Sequence, residues 1–282
     1  MPGDKVAELE KTALDLRKLV IEMLAEAGSG HSAGPLGMAD VFAALYFNIL
    51  NVDPKNPKDP NRDRLVLSNG HICPILYAAL AYKGFFPVTE LKTLRKLNSR
   101  LQGHPHNLAL PGVENSGGPL GQGLSVAVGM ALAQSSSPHR VYVLGSDAEL
   151  QEGQAWEAAM FAGNNRLNNI TWIIDRNNIQ IDGFTENVMP LEPVRNKLEA
   201  FNWHVIEIDG HNTEEIINAC NMAKTIFERP TVIVAHTIAG NGVEFMKNKF
   251  EWHGKPPSKA QAREALAQLR SLEHDARSKN EQ

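Results

Sequence analysis

Short runs of β-branched and apolar residues alternate with longer helical segments through most of this 282-residue chain, and this alternation strongly constrains its fold. Segments of helix length separate the runs, so consecutive strands should be joined by right-handed crossovers and lie parallel. We therefore predict an α/β fold with a mostly parallel β-sheet flanked by helices. The five predicted strands are 64–68, 140–145, 170–175, 203–209 and 230–237.

Helical periodicity accounts for most of the remaining chain. Apolar residues recur at helical spacing from Val6 to Ala27, and Gly28 marks the predicted end of that helix. Neither an internal repeat nor a strong linker divides the chain, so residues 1–282 are predicted to form a single domain with a charged C-terminal helix and tail. The other predicted helices are 38–50, 72–83, 88–98, 120–134, 150–166, 190–201, 213–228 and 258–273.

The composition limits the classes of partner. With 28 Lys and Arg against 32 Asp and Glu, the formal net charge is −4, which gives no basic footprint for nucleic acid or an anionic membrane. No apolar run approaches the roughly 20 residues that span a bilayer. Cys73 and Cys220 form no CxxC pair and, without a secretory segment, fit free thiols in a reducing compartment. We expect a soluble, cytoplasmic protein with no nucleic-acid or membrane partner.

Polar residues follow each of the five predicted strands. Ligands of open parallel sheets bind beyond the carboxyl ends of the strands, so these residues should converge on one edge and form a site there. They are His71 after the first strand, Asp147 after the second, Asn177 and Asn178 after the third, Asp209 to His211 after the fourth, and 236–242 after the fifth.

The turn "GSDAELQEG", residues 145–153, lies between a strand and a helix, where proteins often bind phosphates, yet it is rich in carboxylates. Asp147 and Asn177 follow two strands separated by one helix, so their oxygens could share one space. Such oxygens suit Mg²⁺ or Ca²⁺, and a bound cation could in turn hold phosphates. The alternative is that Asp147 caps the following helix. The spacing alone leaves both interpretations open.

Several ordered motifs resemble those of the transketolase family. Asp147, the pair Glu152-Gly153 and "DRNNIQIDG" resemble its thiamin diphosphate motif, which runs from Gly-Asp-Gly to an Asn after the next strand. The segments "GSGHSAGPLGMAD", "RDRLVLSNGH", "LQGHPHN", "GGPLGQGLSVAVGMALA", "NWHVIEIDGH" and "EWHGKPP" resemble further signatures in the same order. Together they cover about residues 8–257. The resemblance implies the thiamin-diphosphate-binding fold, in its diphosphate-binding domain.

The resemblance also implies a cofactor, thiamin diphosphate with Mg²⁺ or Ca²⁺, and a set of site residues. The metal ligands would be Asp147, Asn177 and the backbone carbonyl of Ile179. The cofactor contacts would be His71, Gly118, Leu120, Asp147, Ala148, Glu152, Asn177, Ile181 and His253. The catalytic histidines, which orient the substrate and transfer protons, would be His31, His104 and His253. Glu152 and Glu157 would lie at a subunit boundary.

Some residues depart from the motifs or have a plainer interpretation. Ser146 and Ala148 replace the two glycines of Gly-Asp-Gly; a positive φ at Ala148 would cost about 1 kcal/mol, and a negative φ would cost little. Glu149 is predicted to face solvent. His139 is predicted to be a surface or satisfied residue, and His211 to belong to a structural turn. The loop 236–246 could close over the cofactor or form an ordinary turn.

The resemblance is confined to the N-terminal part of the family. The glutamate that activates the cofactor and the arginines that bind the sugar phosphate belong to the family's later domains. The chain therefore resembles the N-terminal subunit of a split transketolase, which would need a C-terminal subunit with the pyrimidine-binding domain, in an α₂β₂ heterotetramer. The pair would transfer a two-carbon ketol unit from a ketose phosphate to an aldose phosphate. The alternatives are a transferase for a different ketose and a non-catalytic subunit; a dehydrogenase is disfavoured because no strand precedes GxGxxG.

Overall fold

A five-stranded parallel sheet lies at the centre of the computed structural model, which describes residues 3–280 and the side chains as far as His274. In spatial order its strands are β1 (Arg64–Leu67), β2 (Val141–Ser146), β3 (Ile170–Arg176), β7 (Thr231–His236) and β6 (His204–Asp209), and every neighbouring pair is parallel. The predicted α/β fold with a mostly parallel sheet is therefore confirmed. The two remaining strands, β4 (Ile179–Gln180) and β5 (Gly183–Phe184), pair with each other in a short antiparallel hairpin.

Helices cover both faces of the sheet. They are α1 (Gly3–Ala27), α2 (Ala33–Gly37), α3 (Ala39–Ala44), α4 (Cys73–Lys83), α5 (Gln122–Ala133), α6 (Gly153–Asn164), α7 (Thr185–Val188), α8 (Val194–Ala200), α9 (Thr213–Thr225) and α10 (Lys259–Asn280). A π-helical turn, Leu45–Ile49, follows α3, and a 3₁₀ segment, Val88–Thr93, stands where a helix over 88–98 was predicted. None of these helices is long and apolar enough to cross a membrane.

The two faces of the sheet bury separate hydrophobic clusters. One cluster lies under α1, α3, α4 and α9, and includes Leu16, Phe42 and Tyr77. The other lies under α5, α6 and α8 and includes Trp172 and Trp203, whose ring centroids are 5.8 Å apart. Every residue of β2 and β3 is buried, because helices cover both faces of the parallel sheet. This burial explains why these runs read as continuous apolar strands.

The strand register aligns the carboxyl ends that carry the predicted site. The last residue of β2, Ser146, is level with Asp175 of β3, and Arg176 is level with His236 of β7. The backbone ladder continues one step further, since the Asp147 amide donates to the Asp175 carbonyl over 3.1 Å. The turns after β2 and β3 are therefore neighbours, as the single crossover between them predicted.

Candidate functional site

Four histidines from four segments form a cluster at the carboxyl edge of the sheet. The ring centroid of His31 lies 5.1 Å from that of His71, 6.3 Å from that of His104 and 5.4 Å from that of His253. The rings of His71 and His253 are 4.8 Å apart. The fold thus brings together the four histidines that the resemblance assigned to the site.

The segments that carry His31 and His253 are bonded to each other. The Ser32 hydroxyl, next to His31, donates to the Lys255 carbonyl over 2.6 Å. This bond connects the loop before α2 with the loop before α10, which are more than 200 residues apart in sequence. The loops that carry the two imidazoles are therefore connected by a long-range hydrogen bond.

Burial keeps the histidines neutral. It lowers the pKa of His31 to about 4, with repulsion from His253, Arg95 and His104 adding to the effect. Burial also lowers the pKa of His71 well below its ordinary value, and those of His104 and His253 to a lesser degree. Because an ordinary histidine titrates near 6.5, all four are neutral at pH 7. Each neutral ring therefore offers one hydrogen-bond donor and one acceptor nitrogen, and the acceptor can take up a proton.

Asp147 is fully buried at the end of β2, where its two oxygens have different partners. Its Oδ1 accepts from its neighbour's amide, Ala148 N, over 2.7 Å. Its Oδ2 accepts from the Asn178 amide over 2.6 Å and from the Arg176 guanidinium over 3.1 Å. Asp147 also caps the 3₁₀ turn Ala148–Gln151 through its bond to Ala148 N, so the helix-cap interpretation holds for this short turn. It does not extend to α6, where the N-cap residue is Glu152.

Asn177, the second predicted metal ligand, is oriented by neighbouring side chains and backbone. Its amide nitrogen donates to Asp175 Oδ2 over 2.8 Å, and its Oδ1 accepts from the Ile179 amide over 2.9 Å. The Thr237 hydroxyl donates to the other oxygen of Asp175. Asp175 therefore fixes the orientation of the Asn177 side-chain amide, with its nitrogen toward Asp175 and its oxygen on the opposite side. Through Thr237, Asp175 also connects Asn177 to the loop after β7.

The charges around Asp147 fit an added cation. Arg176 contacts Asp147, Glu186 and Glu192 with its guanidinium, so three carboxylates share one positive group. Burial raises the pKa of Asp147 to about 6, against the opposing effect of Arg176. Burial also raises the pKa of Asp175 to about 7, and repulsion from Asp147 adds to it. A bound divalent ion would offset this cost of burying ionised oxygens.

The oxygen ligands available here suit a hard cation whose remaining ligands come from outside the protein. Over the described residues, no three or more His, Cys, Asp or Glu side chains form a group that could hold a metal. A metal here would depend on one carboxylate, one amide oxygen and backbone carbonyls, with the remaining positions supplied by phosphate or water. Mg²⁺ binds in this way.

Buried polar atoms without a partner lie along the same edge. Both side-chain amide atoms of Asn69, the hydroxyl of Ser146 and Nδ1 of His31 have no hydrogen bond within the protein. Asn69 and Ser146 stand at the ends of β1 and β2. Because buried polar groups are nearly always paired, such a group of atoms fits a polar ligand at this edge.

Backbone packing brings the "GGPLG" segment against the turn that carries His71. A Cβ at Gly70 would lie 2.9 Å from the Gly118 amide, so only glycine permits this approach. Leu120, from the same segment, is 37% exposed, and Ile181, in the β4–β5 turn, is 65% exposed. The structure thus places Gly118 near His71 and leaves Leu120 and Ile181 available for contacts outside this chain.

The prediction that Glu149 faces solvent is wrong. Glu149 is only 1% exposed, and its carboxylate accepts from Ser68 Oγ, from the Gly121 amide and from the Ser146 amide. Two of its partners, Ser68 and Gly121, come from segments that are distant in sequence, so the acidic turn gave no signal of this burial. Arg176 and Asp175 were likewise missed, although both stand beside Asn177 in "DRNN".

Glu152 and Glu157 lie at an exposed face formed by α5 and α6. Neither carboxylate is buried, and neither contacts the predicted metal ligands. Large apolar side chains are exposed on the same two helices; those of this α5–α6 face are Val126, Leu132, Met160 and Phe161. The structure therefore places Glu152 and Glu157 on a surface with the character of an interface.

The remaining histidines have structural surroundings. His211 Nδ1 lies 2.7 Å from Asp40 Oδ2, and its Nε2 accepts from the Ile238 amide over 2.7 Å, so the structural interpretation of this turn is confirmed. The loop 236–246 is packed into the core rather than extended over the edge, since Val243 and Met246 are fully buried within it. His139 is buried with neither ring nitrogen hydrogen-bonded, which corrects its prediction as a surface or satisfied residue.

Comparisons with known proteins agree with this geometry. The family model described as "Transketolase, thiamine diphosphate binding domain" matches residues 9–273. The 6-deoxy-6-sulfo-D-fructose transketolase subunit of Clostridium sp. (strain MSTE9) is 45% identical over 95% of this chain and 98% of its own length. An apulose-4-phosphate transketolase subunit of Phocaeicola vulgatus is 40% identical over 94% of this chain and 95% of its own length.

A solved structure shows the same fold in a longer protein. The transketolase of Campylobacter jejuni superposes with a TM-score of 0.87 at 37% identity, over 93% of this chain but only 42% of its own. The chain thus matches the two relatives of similar length almost end to end, and it spans less than half of the longer enzyme.

Proposed function

The chain belongs to the transketolase family, in its thiamine diphosphate binding domain, and from this premise we propose that it is the N-terminal subunit of a two-chain transketolase. Its reaction class is ketol transfer, since the relatives that match it end to end are transketolase subunits. With its partner it would move a two-carbon ketol unit from an anionic ketose to an aldose phosphate.

The cofactor site would be the edge that carries the acidic turn and the histidine cluster. Asp147, Asn177 and the carbonyl of Ile179 would hold Mg²⁺ or Ca²⁺, and the Ala148 amide with His71 and His253 would bind the diphosphate. When bound, thiamin diphosphate supplies the electron sink for cleavage of the carbon–carbon bond. The Ala148 amide donates to Asp147 in the free chain, so cofactor binding would redirect that bond.

Further contacts would come from Gly118, Leu120 and Ile181 along the rings of the cofactor, and from Glu152 at the subunit boundary. Leu120 and Ile181 are exposed in the isolated chain, which is consistent with a ligand shared between two subunits. Glu152 and Glu157 lie on the α5–α6 face, which would meet a second copy of the chain.

The catalytic histidines would be His31, His104 and His253. Because burial keeps their imidazoles neutral, each can accept a proton from a substrate hydroxyl and return it. Their rings come from separate loops, so they could contact different hydroxyls of one sugar. The histidine that touches both the diphosphate and the substrate would be His253, next to His71.

The observation that carries this proposal is the contact of the Asp147 turn with the 177–179 turn, beside the histidine cluster. Calorimetric titration should show thiamin diphosphate binding that requires Mg²⁺, in the presence of the partner subunit. Asp147→Asn should lower that affinity at least about 100-fold, because the ionised ligand of the cation is lost. Unchanged affinity in this variant, or no binding to the wild-type chain at millimolar cofactor, contradicts the proposal.

The substrate is proposed at the level of class. Relatives of similar length act, by their names, on a sulfonated ketose and on a ketose phosphate, which favours a second candidate, a 6-sulfo ketose. The co-expressed pair should be assayed on both classes with the same aldose acceptor. Turnover of either class identifies the donor, and turnover by the isolated chain would contradict the two-chain assignment.

A further inference from the structure

Glu149 is a buried carboxylate with three hydrogen-bond donors, and none of the roles above uses it. Its Oε1 accepts from Ser68 Oγ over 2.6 Å and from the Gly121 amide over 2.8 Å, and its Oε2 accepts from the Ser146 amide over 3.0 Å. Burying a carboxylate is costly unless its oxygens are satisfied, so three donors indicate a built site.

Each of the three donor residues lies at one end of a segment that would contact the cofactor. Ser68 stands between β1 and the turn with His71, and Gly121 joins the "GGPLG" segment to α5. Ser146 directly precedes Asp147. One carboxylate therefore connects the three turns that would bind the diphosphate, the rings and the metal.

Two glycines make room for this arrangement. A Cβ at Gly145 would lie 2.8 Å from Trp172 Nε1 and 3.2 Å from Glu149 Oε2, and a Cβ at Gly123 would collide with the Cα of Ser68. The absence of side chains at both positions lets the start of α5, the end of β1 and the end of β2 approach one carboxylate. The geometry is thus specified by more than the hydrogen bonds of Glu149.

We propose that Glu149 is a positioning residue of the cofactor site, whose carboxylate sets the spacing among the turns after β1, before α5 and after β2. This inference rests on the proposed cofactor site. Glu149 touches neither cofactor nor substrate in this role; it acts through Ser68, Gly121 and Ser146. The isosteric amide of Glu149→Gln would turn an N–H group toward at least one of these donors, so the three turns would no longer share one acceptor.

A matched control is available at the opposite end of the sheet. Asp63 is also buried, and its two oxygens accept from the Asn51 and Arg140 amides, each over 2.8 Å. Asp63 immediately precedes β1, at the amino end, away from the proposed site. Asp63→Asn should therefore destabilise the chain in a similar way without changing the cofactor-binding turns.

The test measures both variants in the complex with the partner subunit. Glu149→Gln should raise the Kd for thiamin diphosphate, at saturating Mg²⁺, by about tenfold or more, whereas Asp63→Asn should leave it unchanged. The KM for the cofactor should rise in Glu149→Gln, with kcat near the wild-type value at saturating cofactor. Hydrogen exchange of the cofactor-free complex should accelerate at 117–125 and 145–150 in Glu149→Gln only.

If Glu149→Gln does not fold, Ser68→Ala removes a single donor and should raise the Kd by a few-fold, again with Asp63→Asn as control. The positioning role alone would be overturned by two results together. The cofactor affinity of the Glu149 or Ser68 variant would equal that of the wild type, and its hydrogen exchange would change no more than that of Asp63→Asn. A wild-type complex that binds no thiamin diphosphate would instead overturn the proposed function, and this inference with it.

Discussion

The turn after β2 carries alanine at position 148, where the transketolase motif has glycine. Ala148 lies in a 3₁₀ turn and is not among the residues with positive φ. The backbone therefore does not need glycine, and Ala148→Gly should lower the free energy of unfolding by about 0.5–1 kcal/mol because it adds freedom to the unfolded chain. Chemical denaturation measures this loss, and calorimetry should show no gain in cofactor affinity.

Gly121→Ala is the contrasting substitution. Gly121 has a φ of +76°, and an added Cβ would lie 3.2 Å from the Glu152 Cβ, so alanine is strained there. Gly121→Ala should therefore lower the free energy of unfolding by more than Ala148→Gly does.

The outcome that would contradict the prediction for Ala148→Gly is a gain in cofactor affinity. A gain of tenfold or more, which is about the effect of one hydrogen bond, would mean that the alanine obstructs the diphosphate.

His31 should make the stability of the free chain depend on pH. Its folded pKa is about 4, below the ordinary 6.5, so between these values the unfolded state binds a proton that the folded state does not. Stability is therefore fully present above pH 6.5 and falls as the pH decreases toward 4. At pH 5 the titration of His31 should lower the free energy of unfolding by about 1–2 kcal/mol relative to its value at pH 7.5.

His31→Asn should remove that loss. Denaturation of both proteins at pH 7.5 gives the packing cost of the substitution, and the change in their difference at pH 5 isolates the proton. The wild type should lose more stability on acidification than the variant. Equal losses would mean that folding does not lower the pKa of His31.

At the scale of elements, a buried network fixes the loop after β7. Arg17 of α1 pairs with Asp40 of α3 through both carboxylate oxygens, and Asp40 also contacts His211, which accepts from Ile238. Asp40→Asn would leave Arg17 buried without its ionic partner, so the free energy of unfolding should fall by about 3 kcal/mol or more. Urea denaturation measures this loss.

The exposed pair of Arg195 and Glu199 provides the comparison for this network. Glu199→Gln removes a pair whose side chains are about half exposed, and it should cost less than about 0.5 kcal/mol. Similar losses for Asp40→Asn and Glu199→Gln would show that the buried network contributes no more than a solvated pair.

The strands and most helices could be predicted because their signal is local. β2 and β3 begin and end within about a residue of the predicted runs, since apolar residues occupy both faces of these buried parallel strands. The segment 88–98 failed as a helix because distant contacts decide its conformation. Arg95 has a φ of 58°, and its guanidinium reaches Ser29 and Gly103.

The site was predictable to the extent that it follows topology and motif. The convergence of His71, Asp147 and Asn177 follows from parallel strands that end on one edge. The distant partners of Glu149 and Asp175 could not be predicted, because Ser68, Gly121 and Thr237 reach these carboxylates only in the folded chain. Burial, and not residue type, separates Glu149 from the exposed Glu152 three positions later.

At the scale of the whole molecule, exposed apolar side chains gather in two regions that bear on assembly. The α5–α6 face is one; the other, the hairpin region, lies beside the proposed metal site. Exposed large side chains in the hairpin region are Ile181, Phe184, Val188 and Met189. Clusters of this kind mark interaction sites in soluble proteins. In the proposed assembly, the hairpin region would meet the C-terminal subunit, while the α5–α6 face would meet a second copy of this chain.

This arrangement predicts a 2:2 complex whose self-association depends on α6. Phe161→Glu places a charge on the α5–α6 face, and it should shift the complex with the partner toward a lower mass by native mass spectrometry, because burying an unpaired charge at an interface is costly. Phe227, 71% exposed in the loop before β7, supplies the control, and Phe227→Glu should leave the mass unchanged. A 2:2 mass that persists in Phe161→Glu would place the self-association surface elsewhere, whereas a lower mass in both variants would show a general effect of added charge.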